Sequence, residues 1–305
     1  MSTARSYFGG SSMDTGTGLA LFGSAKLVEK LLGPTADYIG EGVKQWTARR
    51  VGNVDRIFHK AAKKLGRRIE DDGAVPPRVL RGVLDHGSFC DDELSAEYFG
   101  GVLASSRSGI LRDDRGASCV ALLGRLSTYQ IRAHYCFYHL FKRIFDGCLV
   151  EDLTIGMKSG RESLEILIPL LDYHKFMGFS YDEEQMDMIP HIISGLVKEL
   201  LIAERFDTGA GLLLGERVLD SISIDGREEL LDVINNPEIG VQPTLAGIEL
   251  FLWAHGKPNI HPLSFFDHAN QFDLSAEVEV PEGTRTVRAR PPESKIPRRN
   301  VRSRS

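Results

Sequence analysis

Residues 93–145 read ELSAEYFGGVLASSRSGILRDDRGASCVALLGRLSTYQIRAHYCFYHLFKRIF, and this stretch contains the strongest helical signal of the chain. Apolar and small side chains return every three or four positions, the spacing that places them on one face of a helix. They fall into three runs: Leu94, Tyr98, Val102 and Ser105; Ala117, Val120, Leu123 and Leu126; Ile131, Tyr135, Tyr138 and Phe145. The stretch therefore predicts three consecutive helices, each with one buried face.

The boundaries between these helices are also encoded locally. Ser127 and Gln130 have the spacing of a capping box, in which a hydroxyl and an amide satisfy each other's backbone N–H groups. This pair predicts a helix that begins near Thr128. Between the first two helices, Gly109 is suited to end one and Asp113 to cap the next.

Four segments resemble the Abi-alpha family, bacterial proteins linked by name to abortive phage infection. The resemblance implies a helical bacterial protein of phage defence, and it covers about residues 27–256. The segments are EYFGGVLASSR at 97–107, RDDRG at 112–116, LLGPTADYIG at 31–40 and PTLAGIELFLWAHG at 243–256.

Charged residues recur within the two central segments of this resemblance. We interpret them as helix caps and paired charges that hold a helix–loop–helix corner together. The alternative is acid–base or phosphate chemistry, since carboxylates and guanidinium groups are the groups that such reactions use. The motif residues are Glu97, Tyr98, Arg107, Arg112, Asp113, Asp114 and Arg115.

The composition is that of a globular protein, with 42% hydrophobic and 26% charged residues in 305. Four cysteines occur singly, without a Cys-x-x-Cys pair or a signal peptide, which predicts the reducing cytoplasm. No apolar run reaches about 18 residues, so no transmembrane segment is predicted. We predict no cofactor and no metal site, because no P-loop, catalytic serine or cysteine motif, or zinc-ligand spacing occurs.

A basic stripe predicts an anion-binding surface between residues 44 and 68. Nine lysines and arginines there face a single acid, Asp55. Nucleic-acid phosphate and an anionic membrane surface are the two candidate partners, the second with residues 19–32 as an interfacial anchor at the inner membrane. A solvated helix face is the alternative. The candidate anion-binding residues are Lys44, Arg49, Arg50, Arg56, Lys60, Lys63, Lys64, Arg67 and Arg68.

The predicted fold class is mainly α, a multi-helix bundle followed by a smaller winged-helix-like α+β unit. Residues 1–18 are predicted to be disordered, residues 19–179 to form the helical domain, and residues 180–280 to form the winged-helix-like unit. Residues 281–305 form a predicted disordered tail. From Arg285 onward this tail has eight basic residues against Glu293 alone, so it could contact nucleic acid or an acidic partner.

Three functions remain open from the sequence. The first is a phage-defence protein that binds an anionic or protein partner rather than catalysing a reaction. The second is a winged-helix DNA-binding regulator, although the helix that would read DNA has Glu183, Glu184, Asp187 and Glu199 against Lys198. The third is a metal-dependent nuclease, which would need Asp113 or Asp114 for activity.

Overall fold

The fold is mainly α-helical, with one small antiparallel sheet, in a computed structural model of the chain. The structure describes residues 48–110, 113–148, 155, 158–178, 183–204, 238–272, 279–281 and 283–286. Within these ranges lie nine α-helices and four strands. The chain divides into two compact units, one formed by residues 1–132 and 249–260, the other by residues 133–248 and 261–305.

The first unit contains the helices that the central stretch predicts. Two short irregular helices supplement them, a 3-10 turn at Gly66–Glu70 and a π-helical turn at Val83–Gly87. The α-helices are α1 (Ala48–Leu65), α2 (Pro77–Gly82), α3 (Glu93–Ser106), α4 (Gly116–Leu123) and the first turn of α5 (Thr128–Phe145), joined by the end of α9 (Leu245–Ala254). The prediction of three helices between 93 and 145 is confirmed by α3, α4 and α5.

The first residues of α5 and α4 show whether the predicted N-caps are present. The capping box is present, since the Ser127 N–H donates to Gln130 Oε1 at 2.9 Å and the Gln130 N–H donates to Ser127 Oγ at 3.2 Å. The prediction for Asp113 is wrong. Helix α4 begins after Arg115 without a side-chain cap, because Asp113 is held by the Arg115 guanidinium instead.

Helix α3 is buried on nearly all sides, so the prediction of one buried face is wrong for it. Eleven of its 14 residues are buried. Two adjacent glycines explain how neighbouring helices come so close. A Cβ on Gly100 would lie 2.6 Å from the Lys60 Cβ of α1, and a Cβ on Gly101 would collide with the Ala254 carbonyl of α9. The Gly-Gly pair of the EYFGGVLASSR segment is therefore a packing feature.

The second unit holds the sheet, whose strand order is β2-β3-β1-β4 with every pairing antiparallel. In the register, Ile166 lies opposite Val241 on one side and Thr286 on the other. The strands are β1 (Ile166–Pro169), β2 (Ile202–Glu204), β3 (Glu238–Pro243) and β4 (Arg285–Thr286), and the helices are α6 (Lys158–Glu162), α7 (Leu170–Met177) and α8 (Glu183–Lys198).

Strand β1 replaces part of a helix that the leucine spacing at 164, 167 and 171 predicts. Burial alternates along the strand, with Ile166 and Ile168 fully buried. The segment pairs with β3 on one side and β4 on the other, so the ladder satisfies its backbone groups in place of a helix. Strand β4 also differs from the prediction, because it lies within residues 281–305, which are predicted to be a disordered tail.

The sequence also predicts a strand at residues 201–206 and a helix N-cap at Thr244, and both are confirmed within the described residues. Residues 202–204 form a strand, and Thr244 caps α9 by accepting the Gly247 N–H at 3.0 Å. The domain boundary predicted at 179–180 lies outside the described residues, as do residues 1–18, the candidate anchor 19–32 and the tail from residue 287. None of the helices in the described ranges is both long and apolar enough to cross a membrane.

Candidate anion-binding site

The cations of the basic stripe that the structure describes have several different partners and environments. Lys44 lies outside the described residues, and for Arg49 only the backbone, within α1, is described. Near the start of α1, the Arg50 guanidinium lies 3.9 Å from the centre of the Phe89 ring. Phe89 remains 63% exposed beside this cation–π contact.

Three cations of the stripe face α3 and form ion pairs with its two carboxylates. Lys60 Nζ lies 2.9 Å from Glu93 and 2.8 Å from Glu97. Lys64 Nζ lies 2.8 Å from Glu97, and Arg56 lies 3.3 Å from Glu93. We call these five side chains the α1–α3 ladder. The ladder ties two helices together and neutralises most of the charge of these cations.

The ladder also shifts the pKa values of its members. Burial is the largest influence on the Glu97 carboxyl and raises its pKa, but the hydrogen bonds from Lys60 and Lys64 together outweigh it, so the pKa is lowered. The hydrogen bond to Glu97, and then that to Glu93, raises the pKa of Lys60. The charged forms are therefore favoured on both sides of the ladder at neutral pH.

The remaining cations of the stripe lie at the far end of α1 and in the 3-10 turn. Lys63, Arg67 and Arg68 are exposed. Arg68 Nη2 donates to the Lys64 carbonyl at 3.4 Å and to the Gly256 carbonyl at 3.2 Å. These bonds bring the turn after α9 next to the end of α1.

The turn after α9 adds a cation that the stripe did not predict, Lys257, which is exposed. Gly256 has a positive φ of 72° and its N–H donates to the Trp253 carbonyl at 3.1 Å. The Lys257 N–H donates to the Leu252 carbonyl at 2.9 Å, which completes a Schellman motif. The Gly-Lys pair indicates this helix end, but no sequence signal relates it to Arg68, 188 residues away from Gly256.

The first half of the family motif lies in the packing of the first unit. Tyr98 is buried, and Glu97 belongs to the ladder. The Arg107 guanidinium donates to the carbonyls of Arg68 at 2.9 Å and Ile69 at 3.2 Å, and also to that of Asp71. Arg107 thus closes the end of the 3-10 turn, where carbonyl groups lack helical partners.

The second half of the motif forms separate ion pairs. Arg115 holds Asp113 through two hydrogen bonds, of 2.8 Å and 2.9 Å, and these bonds lower the pKa of the Asp113 carboxyl. Asp114 instead lies 3.2 Å from Arg78. Arg112 is outside the described residues. The two aspartates therefore bind different arginines.

A second charged cluster lies in the second unit at the end of α5. Lys142 is 3% exposed and its Nζ lies 2.6 Å from Asp146 Oδ1 and 2.9 Å from the Asp267 carbonyl. Asp146 Oδ2 lies 2.7 Å from Nδ1 of His268. The buried lysine holds the loop around residue 267 against α5. Within the described ranges, no group of three or more His, Cys, Asp or Glu side chains is placed to hold a metal ion.

Comparison with protein-family models, curated proteins and solved structures finds no match for this chain. The resemblance to the Abi-alpha family therefore rests on the four quoted segments. In the structure, two of those segments contact each other, because Gly101 of α3 packs against Ala254 of α9.

Proposed function

We propose that this chain is a bacterial phage-defence protein of the Abi-alpha type, which acts by binding an anionic or protein partner rather than by catalysis. The defence role rests on the resemblance of the four segments. The mode of action rests on the side chains at the candidate site. We place the protein in the bacterial cytoplasm, which agrees with the absence of disulfide bonds among its four cysteines, all of them described.

One observation carries the choice of binding over catalysis. The motif carboxylates that a reaction would need are engaged in pairs with cations of the same unit, Glu97 by Lys60 and Lys64 and Asp113 by Arg115. A carboxylate held in this way is a weak base, because its pKa is lowered. In contrast, Lys63, Arg67, Arg68 and Lys257 extend into solvent, where a partner can reach them.

The experiment is phage infection of cells that carry the gene or an empty vector, at low and at high multiplicity. We expect fewer plaques at low multiplicity and death of infected cells at high multiplicity. Asp113→Asn and Asp114→Asn variants that accumulate normally should protect as well as the wild type. Unchanged plaquing across a broad phage panel would contradict the defence role, and a stable but inactive aspartate variant would favour the nuclease.

The arrangement of α8, β2, β3 and α9 supports a second candidate, a winged-helix regulator. Strands β2 and β3 pair antiparallel between two helices, as in a wing. The acidic sequence of α8 opposes phosphate contact through that helix. Retention of the protein on promoter DNA, lost on substitution within the second unit alone, would favour this candidate.

A further inference from the structure

Four exposed cations converge in the first unit at the end of α1. Lys63 lies in the last turn of α1, and Arg67 and Arg68 lie in the 3-10 turn that follows it. Lys257 is next to Gly256, whose carbonyl Arg68 binds at 3.2 Å. We call Lys63, Arg67, Arg68 and Lys257 the Arg68 cluster. The cluster joins two distant parts of the sequence, because Gly256 contacts both the Arg68 guanidinium and the Lys64 side chain.

Arg68 is positioned before any ligand arrives. Both of its described hydrogen bonds use Nη2, to the carbonyls of Lys64 and Gly256. A guanidinium has five N–H donors, so the donors on Nε and Nη1 remain for a ligand. Because backbone carbonyls already hold the side chain, less side-chain entropy is lost when it binds an oxyanion.

The nearby carboxylates define the limits of this surface. Glu97, the closest acid on α3, is occupied by Lys60 and Lys64. Three exposed acids limit the cluster on one side: Glu70, which ends the 3-10 turn, and Asp71 and Asp72, which follow it. Neither Lys63, Arg67 nor Lys257 forms an ion pair with any residue that the structure describes. These three cations therefore remain available for a ligand in the part of the chain that the structure describes.

The surroundings favour a nucleic-acid backbone over a membrane. Peripheral membrane binding combines cations with apolar side chains that enter the interface. The large apolar side chains that are exposed in the described ranges are Phe89, Ile110, Tyr129, Leu200, Leu245 and Val280, and none belongs to residues 63–70 or 255–260. Contacts to phosphates need only cations and N–H donors.

We propose that the Arg68 cluster binds the phosphate backbone of a nucleic acid without reading its sequence. This inference deepens the proposed function, on which it rests for its biological role, by naming the anionic partner. Arg68 binds one phosphate through its remaining N–H donors, and Lys63, Arg67 and Lys257 neutralise its neighbours. The cluster has few contacts, so binding is weak and strongly salt-dependent.

The test measures the fluorescence anisotropy of labelled oligonucleotides of about 20 nucleotides, single-stranded and duplex, with the full chain. Four phosphate contacts predict that affinity falls about 50- to 150-fold between ~50 mM and ~200 mM salt. The variant Lys63→Gln with Lys257→Gln should lose about half of this salt dependence and bind at least about tenfold more weakly at ~100 mM salt. Neither side chain holds the fold, so this variant should keep the wild-type unfolding midpoint.

A matched control replaces two exposed lysines of the second unit, Lys175→Gln with Lys198→Gln, which changes the net charge equally. We expect the control to bind oligonucleotides as the wild type does. Arg68→Lys keeps the charge but loses the fork of donors, so it should weaken binding while the salt dependence stays almost unchanged. Equal binding by the cluster variant and the control would overturn the proposal.

A second arm uses sedimentation with phosphatidylglycerol vesicles. Vesicle binding that the cluster variant loses, together with oligonucleotide binding that it keeps, would assign the cluster to a membrane and overturn the nucleic-acid proposal. Phage protection by a protein that binds no oligonucleotide would overturn this inference and leave the proposed function standing. Oligonucleotide binding that depends on the cluster, in a protein that never protects against phage, would support this inference and contradict the proposed function.

Discussion

Gly101 has no Cβ, and this allows helices α3 and α9 to approach each other closely. The Ala254 carbonyl of α9 lies where a Cβ would be, and the hydroxyl of Ser105, one turn along α3, donates to the Trp253 carbonyl at 2.8 Å. A methyl group at position 101 would push α9 away and break this contact.

We predict that Gly101→Ala lowers the free energy of unfolding by about 1 to 3 kcal/mol, the usual range for overpacking. Urea denaturation followed by circular dichroism measures the change. The control is Gly52→Ala in α1, where a Cβ meets nothing within 4 Å. Alanine there should stabilise the helix by about 0.5 to 1 kcal/mol. Equal stability of the two variants would contradict the packing role of Gly101.

Leu200 is the one non-glycine residue with positive φ in the described ranges, with φ of 58°. It ends α8 in a Schellman motif, since its N–H donates to the Val197 carbonyl and the Leu201 N–H donates to that of Leu196, both at 2.9 Å. Glycine occupies the other left-handed positions described, at 66, 147, 178 and 256. Leu200 thus carries backbone strain while its side chain is 69% exposed.

We predict that Leu200→Gly raises the free energy of unfolding by about 0.5 to 1 kcal/mol, because the strain of a left-handed L-residue is removed. The reciprocal variant, Gly178→Leu at φ of 70°, should lower it by about 1 to 2 kcal/mol. Thermal unfolding of both proteins measures these changes. A loss of stability in Leu200→Gly would show that the leucine side chain itself stabilises the native state.

At the scale of elements, the α1–α3 ladder makes the packing of two helices depend on pH. The pKa of Glu97 is lowered in the folded protein, so its contribution to stability is complete above its unfolded pKa of about 4.3. That contribution disappears as the pH falls through the lower, folded pKa. The ladder therefore weakens in acid, and it weakens again only in strong base, where Lys60 loses its proton above its raised pKa.

We predict that Glu97→Gln lowers the free energy of unfolding by about 1 to 3 kcal/mol at neutral pH, since Lys60 and Lys64 lose a charged partner. The difference from the wild type should shrink as the pH falls below about 4. Urea unfolding at a series of pH values measures it. Glu93→Gln is the control, because its side chain is 65% exposed and its ion pairs contribute no more than about 1 kcal/mol. A Glu97→Gln effect that stays constant down to the acid limit would contradict this role.

The elements that are predictable from the sequence are those whose signals are local. The Ser127–Gln130 box and the Thr244 cap each join atoms within three residues, so spacing alone reveals them. Strand β1 was missed because its partner, β3, is about 70 residues further along and the leucine spacing also fits a helix. The α1–α3 ladder is not predictable from the sequence either, because its ion pairs join residues of two different helices. Spacing identifies the cations of α1, but not which helix supplies their carboxylates.

At the scale of the whole molecule, the first unit needs residues from the far end of the sequence. It consists of residues 1–132 together with 249–260, whereas the sequence predicts one boundary near 179. Trp253, which is 3% exposed, packs in this unit, and Gly116 of α4 has no space for a Cβ between Ser106 and Trp253. Nothing local to residues 249–260 indicates this return, because it depends on contacts with α3 and α4.

We predict that a fragment of residues 1–179 lacks cooperative unfolding in urea, because α3 loses its packing against α9. Joining residues 243–260 to residue 132 through a flexible Gly/Ser linker should restore a cooperative transition. Near-ultraviolet circular dichroism and urea titration measure both. A fragment 1–179 that unfolds cooperatively at the midpoint of the full chain would instead favour the boundary near 179.

The return of residues 249–260 also has a consequence for synthesis on the ribosome. After residue 132 emerges, the ribosome must add residues 133–248 before the last segment of the first unit exists, which takes about 6 to 23 s at ordinary elongation rates. During that interval the surface of α3 that later contacts Ala254 and Trp253 has no partner. The nascent chain is therefore a client for chaperones, and slow translation late in the gene prolongs its exposure to aggregation.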